Sequence, residues 1–149
     1  MNDDPSAFRN PSQDAIRNLL RSARTIAVIG LSDSPARPSY GVSRSMRNFG
    51  YRILPVNPMI DSWEGVPAHP TLDEAAAAIG PHEKIDIVNV FRRPLQVGRV
   101  VDDCLRLRLP ALWLQLGVIN EEAALRAARA GVTVVMDRCI YVDRAAMGR

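Results

Sequence analysis

A chain of 149 residues can bury one sizeable core without disulfides or structural metals, and 47% apolar with 23% charged residues is an ordinary globular composition. The net charge of +3 rests almost wholly on scattered arginines, and only 5% of residues are aromatic, so no basic stripe or stacking platform points to nucleic acid. The apolar runs are too short to span a bilayer, the N-terminus is polar and partly acidic rather than a secretory leader, and Cys104 and Cys139 have neither framework nor metal-ligand spacing. The expectation is a reduced, cytoplasmic protein with no membrane, nucleic-acid or metal partner.

Along the chain, residues 1–11 read as a loose tail and 12–149 as a single domain. Ser12 caps a helix whose Ile16, Leu19, Leu20 and Ala23 share one face. A short apolar strand over 25–29 ends at Gly30, and after a long loop Val42, Ser45, Met46 and Phe49 mark a second helix closed by Gly50. The next strand, 51–56, stops at Asn57-Pro58; a turn-rich stretch follows with room for one very short strand near Val66. Thr71-Leu72-Asp73-Glu74 is a capping box opening a helix that includes 75–79, and Gly80-Pro81 closes it.

A strand over 85–90 leads to Pro94, which starts a helix carrying Val97, Val100, Val101, Cys104 and Leu105 on one face. The strand 111–114 ends near Gln115 and Gly117; Asn120 caps a helix with Glu121 and Glu122 in its first turn; and 132–136 is the last strand, after Gly131. Strands apolar on both faces, alternating with amphipathic helices, predict an α/β fold: a doubly wound, mostly parallel sheet with helices on both faces.

In such a sheet, ligands sit beyond the carboxyl ends of the strands, where the strand order reverses. The loop after Gly30, the Asn57-Pro58 corner, Phe91-Arg92-Arg93, Gln115-Leu116-Gly117 and Asp137-Arg138-Cys139 fall there. A nicotinamide-dinucleotide site needs further glycines after Gly30 and an acid closing the second strand, and both are missing; no P-loop sequence occurs either. The segment from Leu31 to Tyr40 instead offers Ser32, Ser34 and Ser39, the guanidinium of Arg37, and Pro38 ahead of a helix that begins near Tyr40. Hydroxyls, backbone N–H groups and a helix N-terminus together make an anion site, although a Ser/Pro-rich loop is also simply a loop.

The runs VIGLSDSPARPSY, GYRILPVNP, DIVNVFRRP, LWLQLGV and VVMDRC, in this order over 25–140, resemble the small stand-alone CoA-binding-domain proteins, which are similar to the CoA-binding domain of the succinyl-CoA synthetase α subunit. The resemblance implies a Rossmann-like sheet holding CoA at the strand ends. It places Gly30, Ser32, Arg37 and Ser39 at the phosphates, Asn57 and Pro58 at the adenosine, and Phe91 and Arg92 in the crevice between the sheet halves. It also brings the turn holding Cys139 to the ligand end, where the Arg138 charge would favour a thiolate; the alternative is a small buried hydrophobe. One departure stands out. Members of the family often carry a basic residue just after the Asn-Pro corner, available to the ribose phosphate, whereas Met59, Ile60 and Asp61 occupy it here. Arg52 or an arginine of the first loop is the expected substitute.

The ligase chemistry of the synthetases uses a phosphorylated histidine on a further domain and a nucleotide-binding partner. His69 and His82 lie near Pro70 and Pro81, with no acid-and-nucleophile arrangement beside them, and read as surface residues. The expected function is a CoA or acyl-CoA binding module, non-catalytic by itself, acting as carrier, sensor or regulator. The alternatives are a protein-interaction domain that kept the fold and lost the ligand, or a nucleotide-binding subunit of an acyl-CoA ligase or oxidoreductase that needs a partner. A protein partner or homo-oligomer fits either.

Overall fold

A computed structural model describes residues 7–148 of the chain. Its elements run α1 Gln13–Ser22, β1 Thr25–Ile29, α2 Pro38–Asn48, β2 Arg52–Val56, β3 Ser62–Trp63, β4 Val66–Pro67, α3 Leu72–Ala78, β5 Ile87–Val90, α4 Val97–Arg106, β6 Ala111–Leu114, α5 Glu121–Arg129, β7 Thr133–Met136 and α6 Ile140–Ala145. A single 3-10 turn, Pro94–Gln96, precedes α4. Five strands form one parallel sheet in the order β2-β1-β5-β6-β7, which is the Rossmann-like, doubly wound arrangement the periodicity predicts.

Strand residues alternate between two apolar layers because successive side chains leave a strand on opposite faces. Ile26, Val28, Ile53, Ile87, Trp113 and Val135 pack against Ile16 and Leu20 of α1, Met46 of α2 and Ile140 of α6. Ala27, Ile29, Leu54, Val88, Leu112 and Val134 pack against α3, α4 and α5 through Leu72, Val101 and Ala124. The caps follow the chemistry: Ser12, Thr71 and Asn120 side chains accept from the amides of Ala15, Glu74 and Ala123 at 3.1, 3.1 and 3.0 Å. No helix among the described residues is long and apolar enough to cross a membrane.

Three features depart from the sequence reading. The stretch after β2 forms a two-stranded antiparallel hairpin, β3-β4, rather than one short strand, and it buries Trp63. A sixth helix, α6, follows Cys139; with Ile140 its only buried residue and no cap bond from the Cys139 side chain, it leaves almost no periodic signal. The described part of the tail is not loose. The Phe8 amide donates to Glu121 Oε1 at 2.9 Å, and Asn10 both accepts from Met136 N at 2.7 Å and donates to Met136 O at 3.0 Å. The Asn10 amide thus serves as the missing neighbour of β7 at the sheet edge, where unpaired backbone groups would otherwise invite association. Residues 1–6 of that tail lie outside the described residues.

Gly30 carries the tightest constraint. Its φ is +83°, and a Cβ there would lie 2.2 Å from the Phe91 carbonyl oxygen, which is backbone and has no room to move aside. Gly30→Ala is therefore expected to cost about 2–4 kcal/mol, from overpacking and left-handed strain together. Gly41→Ala, within α2 and with nothing within 4 Å of the added Cβ, should instead be neutral or stabilise by up to ~1 kcal/mol. Urea denaturation midpoints of the two variants check this, and equal midpoints would disprove the constraint.

Candidate ligand-binding site

The sheet's order reverses between β1 and β5, because the chain leaves β1 for β2 on one side and returns to β5 on the other. The turns leaving these strands are tied together at this point. Gly30 N donates to Val56 O and Phe91 N to Ile29 O, each at 2.9 Å. The Gly30 turn thus lies directly on the Phe91 carbonyl, with Arg92 Nε 3.3 Å from where a Gly30 Cβ would be.

Past Gly30 the loop is shaped by its own hydroxyls. Ser39 is buried and its Oγ accepts from Ser32 N at 2.9 Å, while Ser32 Oγ accepts from Ser34 N at 3.0 Å. Both hydroxyls keep their own proton to donate, Ser32 toward partly open space and Ser39 from a buried position. Arg37 is exposed in extended backbone (φ −86°, ψ 140°) just ahead of Pro38, the first residue of α2. Tyr40 turns away to the β3-β4 hairpin: its hydroxyl donates to Glu64 and its ring meets Trp63 edge-on at 6.0 Å. That bond raises the tyrosine's pKa and lowers that of Glu64, which Arg47 also pairs with at 2.9 Å.

The buried polar residues at the strand ends hold loops. Asn57 Nδ2 donates to the carbonyl of buried Leu31 at 3.0 Å, and its Oδ1 accepts from Met59 N at 2.9 Å. One side chain therefore fastens the first loop to the corner that includes Pro58. Gln115 Oε1 accepts from Ile140 N at 2.9 Å and so caps α6. Cys139, half-buried, is the residue just before α6. Arg138 does not serve its thiol: Nε and Nη2 bind Asp143 at 2.8 and 2.5 Å, and that partnership raises the arginine's already high pKa. Cys104 is fully buried against the sheet, and burial pushes its thiol up to about 12.

A cleft of about 450 Å³ opens beside this junction, lined on one side by Pro58, Met59 and the Pro70–Thr71–Leu72 turn and on the other by Arg92, Gln96 and Arg99. Ile29, Val56 and Val100 form its apolar floor. This volume and mixture of apolar walls with few charges suit a small ligand. Of the residues singled out from sequence, Gly30, Asn57, Pro58, Phe91 and Arg92 meet at this junction, Ser32 and Arg37 stand on its α2 side, and Gln115 and Cys139 lie toward β7. The sequence reading missed Arg99, whose place on the polar face of α4's first turn was its only signal. Arg52 is no substitute at the Asn-Pro corner: it opens β2 at the other end of the sheet and ion-pairs with Glu83.

A larger concavity, about 680 Å³, lies at the amino ends of the strands. Its Arg52 is taken by Glu83, and Asp86 accepts from the amides of Arg24 and Thr25 at 2.9 and 3.0 Å. Helix carboxyl ends face that side of a doubly wound sheet, which disfavours anions. The helix N-termini are at the other end, where Arg37, Arg92 and Arg99 have no side-chain partner among the described residues.

The fold and the junction thus define a parallel α/β sheet with a ligand-sized cleft at its topological switch point. The sequence profile of a family described as a CoA binding domain matches residues 24–145, and the chain belongs to that family. It is 46% identical over 138 residues to the protein YneT of Bacillus subtilis (strain 168), covering 93% of this chain and 98% of that one. The structure of cell-free ID.343 from Thermus thermophilus is similar at 35% identity and a TM-score of 0.81, over 92% of this chain and 99% of that one. A dinucleotide-forming acetyl-coenzyme A synthetase of Ca. Korarchaeum cryptofilum shares the fold, at 21% identity and a TM-score of 0.63, over 80% of this chain but only 28% of the synthetase.

The two cysteines give a direct check of this description. In native protein, alkylation should reach half-buried Cys139 and spare Cys104 until denaturant is added, as peptide mass spectrometry would read. The proton on Cys104 stabilises the fold until pH passes the thiol's ordinary value of 9.0, and that stability should drain away as pH climbs toward about 12. Native labelling of Cys104 at neutral pH would contradict its placement.

Proposed function

We propose that this protein binds CoA or acyl-CoA at the β1–β5 junction, acting as a carrier, sensor or regulator and turning nothing over by itself. The observation that carries the reading is the junction. A side-chain-free Gly30 turn has Arg92 beside it at the edge of a cleft with an apolar floor, and the hydroxyl-shaped loop carries exposed Arg37 to the start of α2 on the other face of the sheet. A pyrophosphate fits the Gly30 turn and the start of α2, where amides and the helix dipole favour negative charge. A nucleoside fits the apolar walls. NAD is the poorer ligand because β2 is followed by Asn57, whose side chain is spent on Leu31 and Met59, where a ribose diol needs a carboxylate.

His82 lines the amino-end concavity, far from the junction, and the His69 backbone is tied to β2 through Pro55 and Asn57. Neither histidine sits among groups that would transfer a proton to a thioester, which supports a binding role. A second reading, a protein-interaction domain, draws on one observation. Among the described residues six large apolar side chains remain exposed, and four of them, Met59, Leu95, Leu116 and Ile119, follow the carboxyl ends of β2, β5 and β6. A rim of that kind fits a protein covering the mouth of the site.

Calorimetric titration with CoA and with NAD tests the reading. CoA should bind more tightly than NAD and more weakly as salt rises. Arg37→Ala should weaken CoA roughly ten- to a hundred-fold, the loss of one charge-assisted hydrogen bond to a phosphate. Equal affinity for NAD, or no effect of Arg37→Ala, would overturn this account of the loop. Heat of binding absent altogether would favour the interaction domain. Saturable acyl-CoA turnover that disappears in His69→Ala or His82→Ala would refute the non-catalytic role.

A further inference from the structure

The corner after β2 has no cation of its own: Met59, Ile60 and Asp61 follow Pro58. The structure places two on the opposite wall of the same cleft, Arg92 and Arg99. Neither guanidinium makes an ion pair or hydrogen bond with another described residue. Their surroundings make this unusual. Asp102 is held by Arg126 at 2.8 Å, and Asp103, the one acid lining the cleft, by Arg106 at 2.5 Å. Arg106 also takes Asp73 at 2.7 Å. Every acid on α4 is thus spoken for, and Arg99 is left facing the cleft uncompensated. It stands in the first turn of α4, a turn with no acidic residue, so the positive helix end adds to its charge.

Arg92 and Arg99 differ in what they reach. Arg92 Nε sits against Gly30, between the first turn and the cleft. Arg99 stands in the first turn of α4 and lines the same cleft. We propose that this wall is a phosphate-monoester subsite, in which Arg99, with Arg92 beside it, receives the 3′-phosphate of CoA while the nucleoside lies against Pro58, Pro70 and Leu72. The inference rests on the CoA reading above. A phosphate monoester carries about −1.5 to −2 charges at pH 7 and offers the oxygens that a planar guanidinium binds two at a time. A cation on α4 thereby replaces one on the loop after β2, and the preference for CoA over its dephosphorylated form is written into a helix rather than a corner.

Titration of the full chain with CoA, dephospho-CoA and adenosine 3′,5′-bisphosphate decides it. The wild-type protein should prefer CoA to dephospho-CoA about ten-fold or more. Arg99→Met, which keeps the aliphatic stem, should lower CoA and bisphosphate affinity about ten-fold, leave dephospho-CoA within about two-fold, and so erase the preference. Arg37→Ala should weaken CoA and dephospho-CoA alike, since both carry the pyrophosphate. If the wild-type protein binds both forms equally, or Arg99→Met weakens them equally, the subsite is wrong and the CoA reading stands. If neither form binds, the CoA reading falls and the subsite with it.

Discussion

The site depends on one close approach: the Gly30 turn resting on the carbonyl of Phe91. In a doubly wound sheet the two central strands diverge toward different faces, leaving a crevice between the loops that follow them. Here the crevice is narrowed by backbone meeting backbone, which only the absence of a Cβ permits. The contact sets where the first loop leaves the sheet and where Arg92 must stand. It also brings Leu31 to the place where Asn57 can hold its carbonyl, so β1, β2 and β5 are fastened to one another just beyond their last ladder pairs. A ligand that meets this junction meets a surface already assembled.

The polar residues near the strand ends divide into two groups by burial, and the division follows the energetics of hydrogen bonding. A buried amide or hydroxyl without a partner costs about 1–3 kcal/mol, so most are committed to the protein, with Ser43 Oγ and Asn89 Oδ1 exceptions among the described residues. Asn57, Gln115 and Ser39 are of the committed kind, each bonded to the backbone of a neighbouring segment. Exposed groups face no such penalty and can wait for a ligand. Arg37 and Arg99 are of that kind, and half-buried Arg92 joins them. Loop architecture is therefore carried by other side chains than the free guanidinia of the same loops, so under the proposed function removing a guanidinium changes affinity without disturbing the fold.

Charge pairing sharpens the same division. Around α3, α4 and α5, arginines and carboxylates satisfy one another through Arg106 with Asp73 and Asp103, and Arg126 with Asp102. Arg138 and Asp143 do the same beside Cys139. Surface pairs of this sort contribute little to stability. Their consequence is to neutralise the carboxylates of α4 beside the cleft, so Arg92 and Arg99 face it without a competing partner. A single acid freed at Asp103 would oppose an anion in the cleft directly.

Much of this was legible from the chain, and what was not has identifiable causes. Strand identity and order class follow from two-faced apolar runs, and the caps at Ser12, Thr71 and Asn120 are local chemistry, so both could be read without coordinates. Gly30 and Asn57 were recognisable as strand-end residues, yet their actual work, one admitting a carbonyl and the other fastening a distant loop, depends on partners 61 and 26 residues away. Asn10 pairing with Met136 across 126 residues was equally beyond reach. Arg99 was hidden for a subtler reason. On α4 it is one polar residue among several, and nothing in its spacing separates it from Arg106 or from the acids around it. Only the pairing pattern does, because a guanidinium is available to a ligand when every nearby carboxylate has already been claimed.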